Sequence, residues 1–193
     1  MALSIKTAST FEPVSLQEAK DRLRVSNSEE DDLITSMIQG ATKWAEHNLN
    51  WKLCTQTWTY YLDCWPGDII RMPYPPLQTL TSIKYYNGSN VLTALVEDTD
   101  YRVDSNSYPA RIEVINGWPS LYDRLNPIEI EFICGFENPS DIDQDIKDAL
   151  FLRIADLYEH RQNSYAGGVN NIVMNSDNAY SLLMRNKLYN AVV

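Results

Sequence analysis

Cysteine is scarce in this sequence, and its placement excludes two classes of protein. Cys54, Cys64 and Cys134 form an odd set without CxxC spacing. A disulfide framework is therefore not indicated, and a zinc site is not expected. We interpret the three side chains as reduced, partly buried thiols of a protein made in a cytoplasm.

Long apolar runs are absent as well. No stretch approaches the roughly 18 apolar residues of a membrane-spanning helix. The first residues, MALSIKTASTF, have no apolar core of signal-peptide length. With 193 residues, of which 44% are hydrophobic, the chain is expected to be one globular domain, or a domain with a large insertion, without a membrane partner.

Positive charge is in short supply. The chain carries 16 Lys and Arg against 26 Asp and Glu, which gives a formal net charge of -10. A protein that grips the phosphates of DNA needs clustered Lys and Arg, so we do not expect DNA binding of that kind. The balance is compatible with a protein that surrounds DNA without holding it.

Catalytic signatures are missing too. The sequence contains no GxGxxG, P-loop, HExxH or GxSxG motif and no Ser/His/Asp set in a usable context. The acids from Glu29 to Asp32 fit the first turn of a helix, where carboxylates stabilise the dipole, better than a metal site, because no further ligand follows at suitable spacing. We predict no enzymatic activity, no catalytic or metal-binding residue and no cofactor.

Helical patterns occupy the N-terminal part of the chain. Ser15 and Glu18 form a predicted capping box that begins a short first helix. Ser28 is predicted to open a second, longer helix that ends near Asn48. Its apolar residues recur at the helical period: Leu33, Ile34, Met37, Ile38, Ala41, Trp44 and Ala45.

The pattern becomes that of β-strands after Cys54. Residues 56–62 alternate between apolar and polar, and Asn87-Gly88 predicts a hairpin turn. The segment Met72-Pro73-Tyr74-Pro75-Pro76 is excluded from a central strand, because proline has no amide hydrogen to donate. Further strands are predicted at 79–86, from about 91, and at 101–104, 111–115 and 128–136.

Aromatic residues are concentrated in these strands and allow two interpretations. Trp58, Tyr60, Tyr85 and Trp118 could form a platform for stacking sugars, or they could form the core of a small sheet. We favour the core, because large aromatic side chains most often contribute their area to burial.

A third helix follows Pro139, with Ser140 as its predicted cap. One apolar stripe on it consists of Ile146, Ala149, Leu150, Ile154, Leu157 and Tyr158. A second apolar side is formed by Phe151, Leu152 and Ala155. Because a helix that is apolar around much of its girth is buried on more than one side, we expect these last three residues to form a subunit interface.

The C-terminal part has a different composition. Residues 164–175 are small, polar and glycine-bearing, which predicts a linker or an extended arm. A last helical segment, 177–190, combines leucines with basic residues on an otherwise acidic protein: Leu182, Leu183, Arg185, Lys187 and Leu188. We expect these five residues to bind a separate partner, although a helix that docks on its own subunit is the alternative.

These patterns predict an α+β protein. We expect a helical bundle, built from the two N-terminal helices, the long third helix and the C-terminal helix, with an inserted small antiparallel β domain. The predicted boundaries are 1–53 and 137–163 for the helical body, 54–136 for the β insertion, and 164–193 for a C-terminal arm.

The order of several segments resembles a known family. VSLQEAKDRLRV and EDDLITSMIQGATKWAEHNL precede QTWTYYLDCWP, MPYPPLQTLTSIKYYN, PARIEVINGWP and IEIEFICGF, and IKDALFLRIADLYEHR and SLLMR follow. Over nearly the whole length, these segments resemble the head–tail connector, or adaptor, proteins of tailed phages. The first two resemble that family's opening helices, the next four its β insertion, and the last two its third helix and C-terminal signature.

The resemblance implies a structural virion protein. Such a protein forms a homo-oligomeric ring, expected to be a dodecamer, beneath the portal protein in the virion neck, after assembly in the host cytoplasm. The ring extends the channel through which genomic DNA passes without specific binding, and it joins the capsid to the tail through a stopper or tail terminator below. The portal is then the implied partner of the C-terminal residues.

Two other classes stay open at this point. A carbohydrate-binding or adhesin module would use the aromatic strands and would expose Trp58 or Trp118. A hydrolase based on paired carboxylates would place two acids at one concave site.

Overall fold

The computed structural model describes residues 1–160 and 177–186. The chain divides into two compact units, which we call the sheet unit and the helical unit. The sheet unit contains residues 1–10 and 50–137, and the helical unit contains residues 11–49 and 138–193. Helices and antiparallel sheets are both present, so the predicted α+β class is confirmed.

The helical unit is built from helices that pack on one another. These are α1 (Leu16–Leu23), α2 (Asp31–Leu49), α3 (Gln144–Glu159) and α4 (Asp177–Met184). α2 and α3 pack together, α1 contacts both, and α4 packs mainly on α3. Within the described ranges, none of the helices combines the length and the apolarity needed to cross a bilayer.

The predicted stripes of α2 and α3 form the core of this unit. Their buried members are Ile34, Ile38, Ala41, Ala45, Ile146, Ala149, Leu150 and Ile154. The capping box of α1 is also confirmed. The Glu18 amide donates to Ser15 Oγ at 3.2 Å, and the Ser15 amide donates to Glu18 Oε2 at 2.8 Å.

Two helices begin later than predicted. α2 starts at Asp31 rather than Ser28, because residues 28–31 form a turn in which the Asp31 amide donates to the Ser28 carbonyl. α3 starts at Gln144, with Asp143 rather than Ser140 in the cap position. A 3-10 turn at Pro139–Asp141 precedes it, and the extended backbone of Ile142 places that side chain in the core at 4% exposure.

The sheet unit contains two antiparallel sheets. The first has the order β1-β2-β8-β4-β5, and the second has the order β3-β7-β6. Their bounds are β1 Ala2–Thr7, β2 Gln56–Leu62, β3 Ile69–Arg71, β4 Leu77–Tyr86, β5 Leu92–Ala94, β6 Tyr101–Asp104, β7 Arg111–Val114 and β8 Ile128–Cys134.

A single core connects the two sheets. Alternate residues of β8 are completely buried, and they meet the inward side of the three-stranded sheet through one cluster. Its members are Leu62, Ile70, Met72, Leu77, Ile83, Tyr101, Ala110, Ile112, Ile128, Ile130, Phe132 and Cys134. Period-2 alternation is the pattern expected of strands with one buried face.

Two strands were not predicted. β1 pairs with β2, so residues 1–10 lie in the sheet unit and not in the helical body predicted for residues 1–53. All six residues of β1 are exposed, which left no buried alternation to detect. β3 has only three residues, which is too short for a periodicity to be recognised.

Gly135 occupies the point where β2, β4 and β8 approach one another at their ends. Its φ is 96°, and a Cβ built on it would lie 2.2 Å from the Cys54 carbonyl oxygen. The Gly135 amide donates to the Pro76 carbonyl at 2.9 Å. Gln78 Nε2 in turn donates to the Gly135 carbonyl at 2.7 Å. Both the conformation and the space therefore require glycine here.

The aromatic residues belong to the core of the sheet unit, as predicted. Trp58, Tyr60, Tyr85 and Trp118 are half-buried against the cluster. Trp118 stacks on Trp65 with ring centroids 4.3 Å apart, and its Nε1 donates to the Gly67 carbonyl at 2.6 Å. These rings are engaged within the unit rather than exposed as a platform.

Within the described residues, none of the three cysteines forms a disulfide. Cys54 and Cys134 are buried in the sheet unit, whereas Cys64 is exposed. The expectation of partly buried, reduced thiols therefore describes the first two, and Cys64 differs by lying at the surface.

Candidate assembly interfaces

The second apolar side of α3 is only partly open to a neighbouring subunit. Leu152 is 43% exposed. Phe151 is half-buried, and the Arg22 guanidinium carbon lies 5.2 Å from the centre of its ring. Ala155 is also half-buried. Of the three predicted interface residues, Leu152 therefore presents the most apolar surface to solvent.

The predicted portal-binding residues of α4 point in different directions. Leu183 is completely buried and Ala179 is 3% exposed, on a helix that packs on α3. The Arg185 side chain is 68% exposed, and its Nη1 lies 3.6 Å from Asp145 Oδ2. Leu182 is half-buried.

Leu183 therefore corrects one expectation. Its side chain is completely buried within its own subunit and presents no surface to a partner in this structure. The described part of the predicted arm is thus docked on the body, which was the alternative interpretation. Lys187 and Leu188 lie outside the described residues, as do residues 161–176 of the predicted linker.

On the outer face of the five-stranded sheet, Glu131 is engaged in an ion pair with Lys6. A shallow hollow of about 380 Å³ there is lined by residues that include Thr59, Lys84 and Glu131. Glu131 accepts a hydrogen bond from Lys6 Nζ at 2.7 Å. Among the described residues, no group of three or more His, Cys, Asp or Glu side chains could hold a metal ion.

A charged face on the three-stranded sheet escaped the sequence analysis. Strand pairing places Ile69, Glu113 and Arg102 in one row across this sheet, and Arg71, Arg111 and Asp104 in a second row. Both rows point away from the core, since the row between them, Ile70, Ile112 and Val103, packs on it. Alternation within β6 and β7 was the available signal, but the pairing of distant strands could not be inferred from it.

A family model matches the first part of the chain. The model for phage gp6-like head-tail connector proteins matches residues 13–107, a range that contains α1, α2 and the strands from β2 to β6. Over this range, which is just under half of the chain, the sequence is similar to phage gp6-like head-tail connector proteins. This confirms the resemblance described above, and this connector is accordingly a structural protein of the virion neck.

Solved structures share the fold of the connector over almost its entire length. A chain from the "Neck of empty GTA particle computed with C6 symmetry" is 24% identical, with a TM-score of 0.78. A chain from the "Virion of native gene transfer agent (GTA) particle" is 23% identical, with a TM-score of 0.77. A chain from the "Neck of native GTA particle computed with C12 symmetry" is 22% identical, with a TM-score of 0.72.

Each of these alignments covers 96% of the connector and 94% of the other chain. At this identity the likeness concerns the fold, and it extends to the C-terminal part that the family model leaves unmatched. A search of curated proteins yields no match. Neither the adhesin nor the hydrolase interpretation receives support from any comparison.

Proposed function

We propose that this connector forms a ring beneath the portal protein, extends the DNA channel and joins the capsid to the tail. The observation that carries the proposal is the family match over residues 13–107. Similarity along the whole chain to neck chains from particles computed with C6 and C12 symmetry supports a ring. We take the ring to be a dodecamer, assembled in the host cytoplasm, that binds a stopper or tail terminator on its far side.

The helical unit contributes a ring contact in this proposal. The sheet unit is an antiparallel insertion between α2 and α3 that β1 completes. The exposed Leu152 side chain, flanked by Phe151 and Ala155, contributes to the contact between neighbouring subunits. Such a contact is heterologous in a ring, so α3 meets a different surface of the next copy.

The exposed side of α4 and the residues after it bind the portal. Arg185 is the described residue best placed for this role, because its side chain is largely in solvent. Leu182 lies beside it, whereas Leu183 holds α4 on the body. The proposal also assigns portal binding to Lys187 and Leu188, which lie outside the described residues. Around a ring, many modest contacts act together and give a durable joint.

The role requires neither a catalytic site nor a cofactor. The net charge of -10 suits a channel wall that repels DNA and lets it slide, because like charges disfavour lasting contacts. Genomic DNA therefore passes through the lumen without specific binding.

Sedimentation with portal rings tests the proposal. Wild-type connector mixed with purified rings of its portal protein should co-sediment with them and add a ring-shaped layer in negative-stain images. Arg185→Glu should weaken co-sedimentation with little change in melting temperature, because an exposed ion pair contributes only about 0–1 kcal/mol.

Arg24→Glu is a matched control, since it reverses an exposed charge at the end of α1, away from α4. It should bind portal rings as the wild type does. A wild-type connector that neither forms rings nor binds the portal would contradict the proposed function.

A further inference from the structure

The outer face of the three-stranded sheet places two positively charged side chains opposite each other. Arg71 on β3 lies directly opposite Arg111 on β7. Side chains opposite one another on neighbouring strands are about 4.5–5.5 Å apart at Cβ, and like charges there are destabilising. This pair therefore opposes folding of the isolated subunit.

Only one of the two arginines is neutralised within the chain. Asp104 accepts hydrogen bonds from Arg111 Nε at 3.2 Å and from Arg111 Nη2 at 2.7 Å, and Arg111 holds the pKa of Asp104 below its usual value. Within residues 1–160 and 177–186, no carboxylate lies within ion-pair distance of Arg71 or of Arg102.

The same face also exposes an apolar residue. Ile69 is 44% exposed and lies in the row that contains Glu113 and Arg102. The residues of the two rows, apart from Arg71, border a shallow hollow of about 370 Å³. Exposed arginine beside an exposed aliphatic residue is the composition of protein–protein interfaces, in which arginine is enriched.

The charge of the chain indicates what this face binds. The face has three arginines against two acids, whereas the whole chain has 26 acids against 16 basic residues. A second copy therefore offers an excess of carboxylates to it. DNA fits less well, because Glu113 and Asp104 lie between the arginines and would meet the phosphates.

We propose that this face, defined by Ile69, Arg71, Arg102 and Arg111, binds a carboxylate-bearing surface of the neighbouring copy in the connector ring. The inference rests on the proposed ring and names one of its contacts. A ring requires two different surfaces of each subunit to meet, and a positive face on a strongly negative chain provides one of them. Arg71 gains from the contact the carboxylate partner that it lacks in the free subunit.

Reversal of both unpaired charges tests the proposal. In sedimentation velocity experiments at low salt, wild-type protein should self-associate, and added salt should weaken that association, because exposed charges are screened. Arg71→Glu/Arg102→Glu should raise the dissociation constant by about tenfold or more. The control Arg24→Glu/Arg124→Glu changes the net charge equally at exposed positions off this face and should associate as the wild type does.

The melting temperature of the variant gives a second readout, because it should not fall when association weakens. Arg71→Glu replaces a repulsive cross-strand pair with an attractive one, so the monomeric variant should melt at or above the temperature of the wild type. Weaker association together with a lower melting temperature would instead indicate misfolding. Far-UV circular dichroism on each variant distinguishes the two results.

Three results would overturn the inference. The first is wild-type protein that stays monomeric at low salt and high concentration. The second is a doubly reversed variant that associates as the wild type does. If that variant also joins portal-bound rings, the proposed function of the protein stands, and only this contact is ruled out. The third is a doubly reversed variant that associates as the wild type does but is no longer retained on a DNA column that retains the wild type. The face would then be a nucleic-acid-binding surface.

Discussion

Substitution of Gly135 should destabilise the sheet unit more than substitution of any other described glycine. In Gly135→Ala, the new Cβ would lie 2.2 Å from the Cys54 carbonyl oxygen and 2.5 Å from the Cys54 carbonyl carbon. Both are backbone atoms, so no side-chain rotation relieves the overlap. The strands would have to separate at their ends, and the hydrogen bond from the Gly135 amide to Pro76 would weaken.

The magnitude follows from two separable contributions. A non-glycine residue at positive φ costs about 1–2 kcal/mol. The overlap adds a backbone displacement, which brings the expected total to about 3–5 kcal/mol. Gly117 isolates the first contribution, because its φ is 84° and an added Cβ would meet nothing within 4 Å. Gly117→Ala should therefore cost about 1–2 kcal/mol.

Gly40 completes the series with the opposite sign. It lies inside α2, and its added Cβ also meets nothing within 4 Å. Gly40→Ala should stabilise the helical unit by about 0.5–1 kcal/mol, since glycine is a poor helix former.

Urea unfolding followed by two probes measures the series. Tryptophan fluorescence reports mainly on the sheet unit, because four of the five tryptophans lie in residues 50–137. Far-UV circular dichroism at the helical band reports on the helical unit. Equal costs for Gly135→Ala and Gly117→Ala would refute the argument from close backbone approach.

Three further predictions concern the helical unit. Leu150→Ala, at a site that is 1% exposed, should cost about 2–5 kcal/mol of unfolding free energy. Leu152→Ala should cost less than about 1 kcal/mol and weaken only ring assembly. Equal losses of stability for the two variants in urea unfolding would contradict the assignment of the two faces of α3. Burial, aided by the nearby Glu46, raises the pKa of Glu12. The contribution of Glu12 to stability is therefore complete below the usual pKa of about 4.5 and is lost as pH rises through the raised value. Glu12→Gln should raise the melting temperature at about pH 7 but not at about pH 4, and an equal rise at both pH values would contradict this prediction. Ser15→Ala removes the capping box and should cost about 0.5–2 kcal/mol in urea unfolding, so an unchanged midpoint would rule out a stabilising cap.

Local patterns predicted much of the secondary structure correctly. The capping box of α1, the buried stripe of α3 and the limits of β2 and β6 all depend on residues close together in the chain. The same reasoning placed the starts of α2 and α3 too early. At α2 a local turn closed by the Asp31 amide and the Ser28 carbonyl precedes the helix, and at α3 the extended Ile142 is placed in the core, which its neighbours in the sequence do not reveal.

The charged face was missed for a related reason. Arg71, Arg102 and Arg111 lie on three separate strands, and only the register between those strands brings them together. The family resemblance, by contrast, depends on the order of segments along the chain, which is why the sequence alone was sufficient for it. The burial of Leu183 was not predicted either, because composition does not determine whether an amphipathic helix docks on its own subunit or on a partner.

The position of β8 also constrains when the sheet unit can fold during synthesis. β8 lies between β2 and β4, yet Ile128–Cys134 is the last of the sheet segments to be translated. Until it leaves the ribosome, β2 and β4 have no strand between them, and their inward apolar residues have no central partner. Strand pairs distant in sequence form slowly, and unpaired edges favour aggregation. Correct production of the connector therefore depends on rapid completion of each chain past β8, and a nascent chain stalled before residue 128 would expose the edges of both strands.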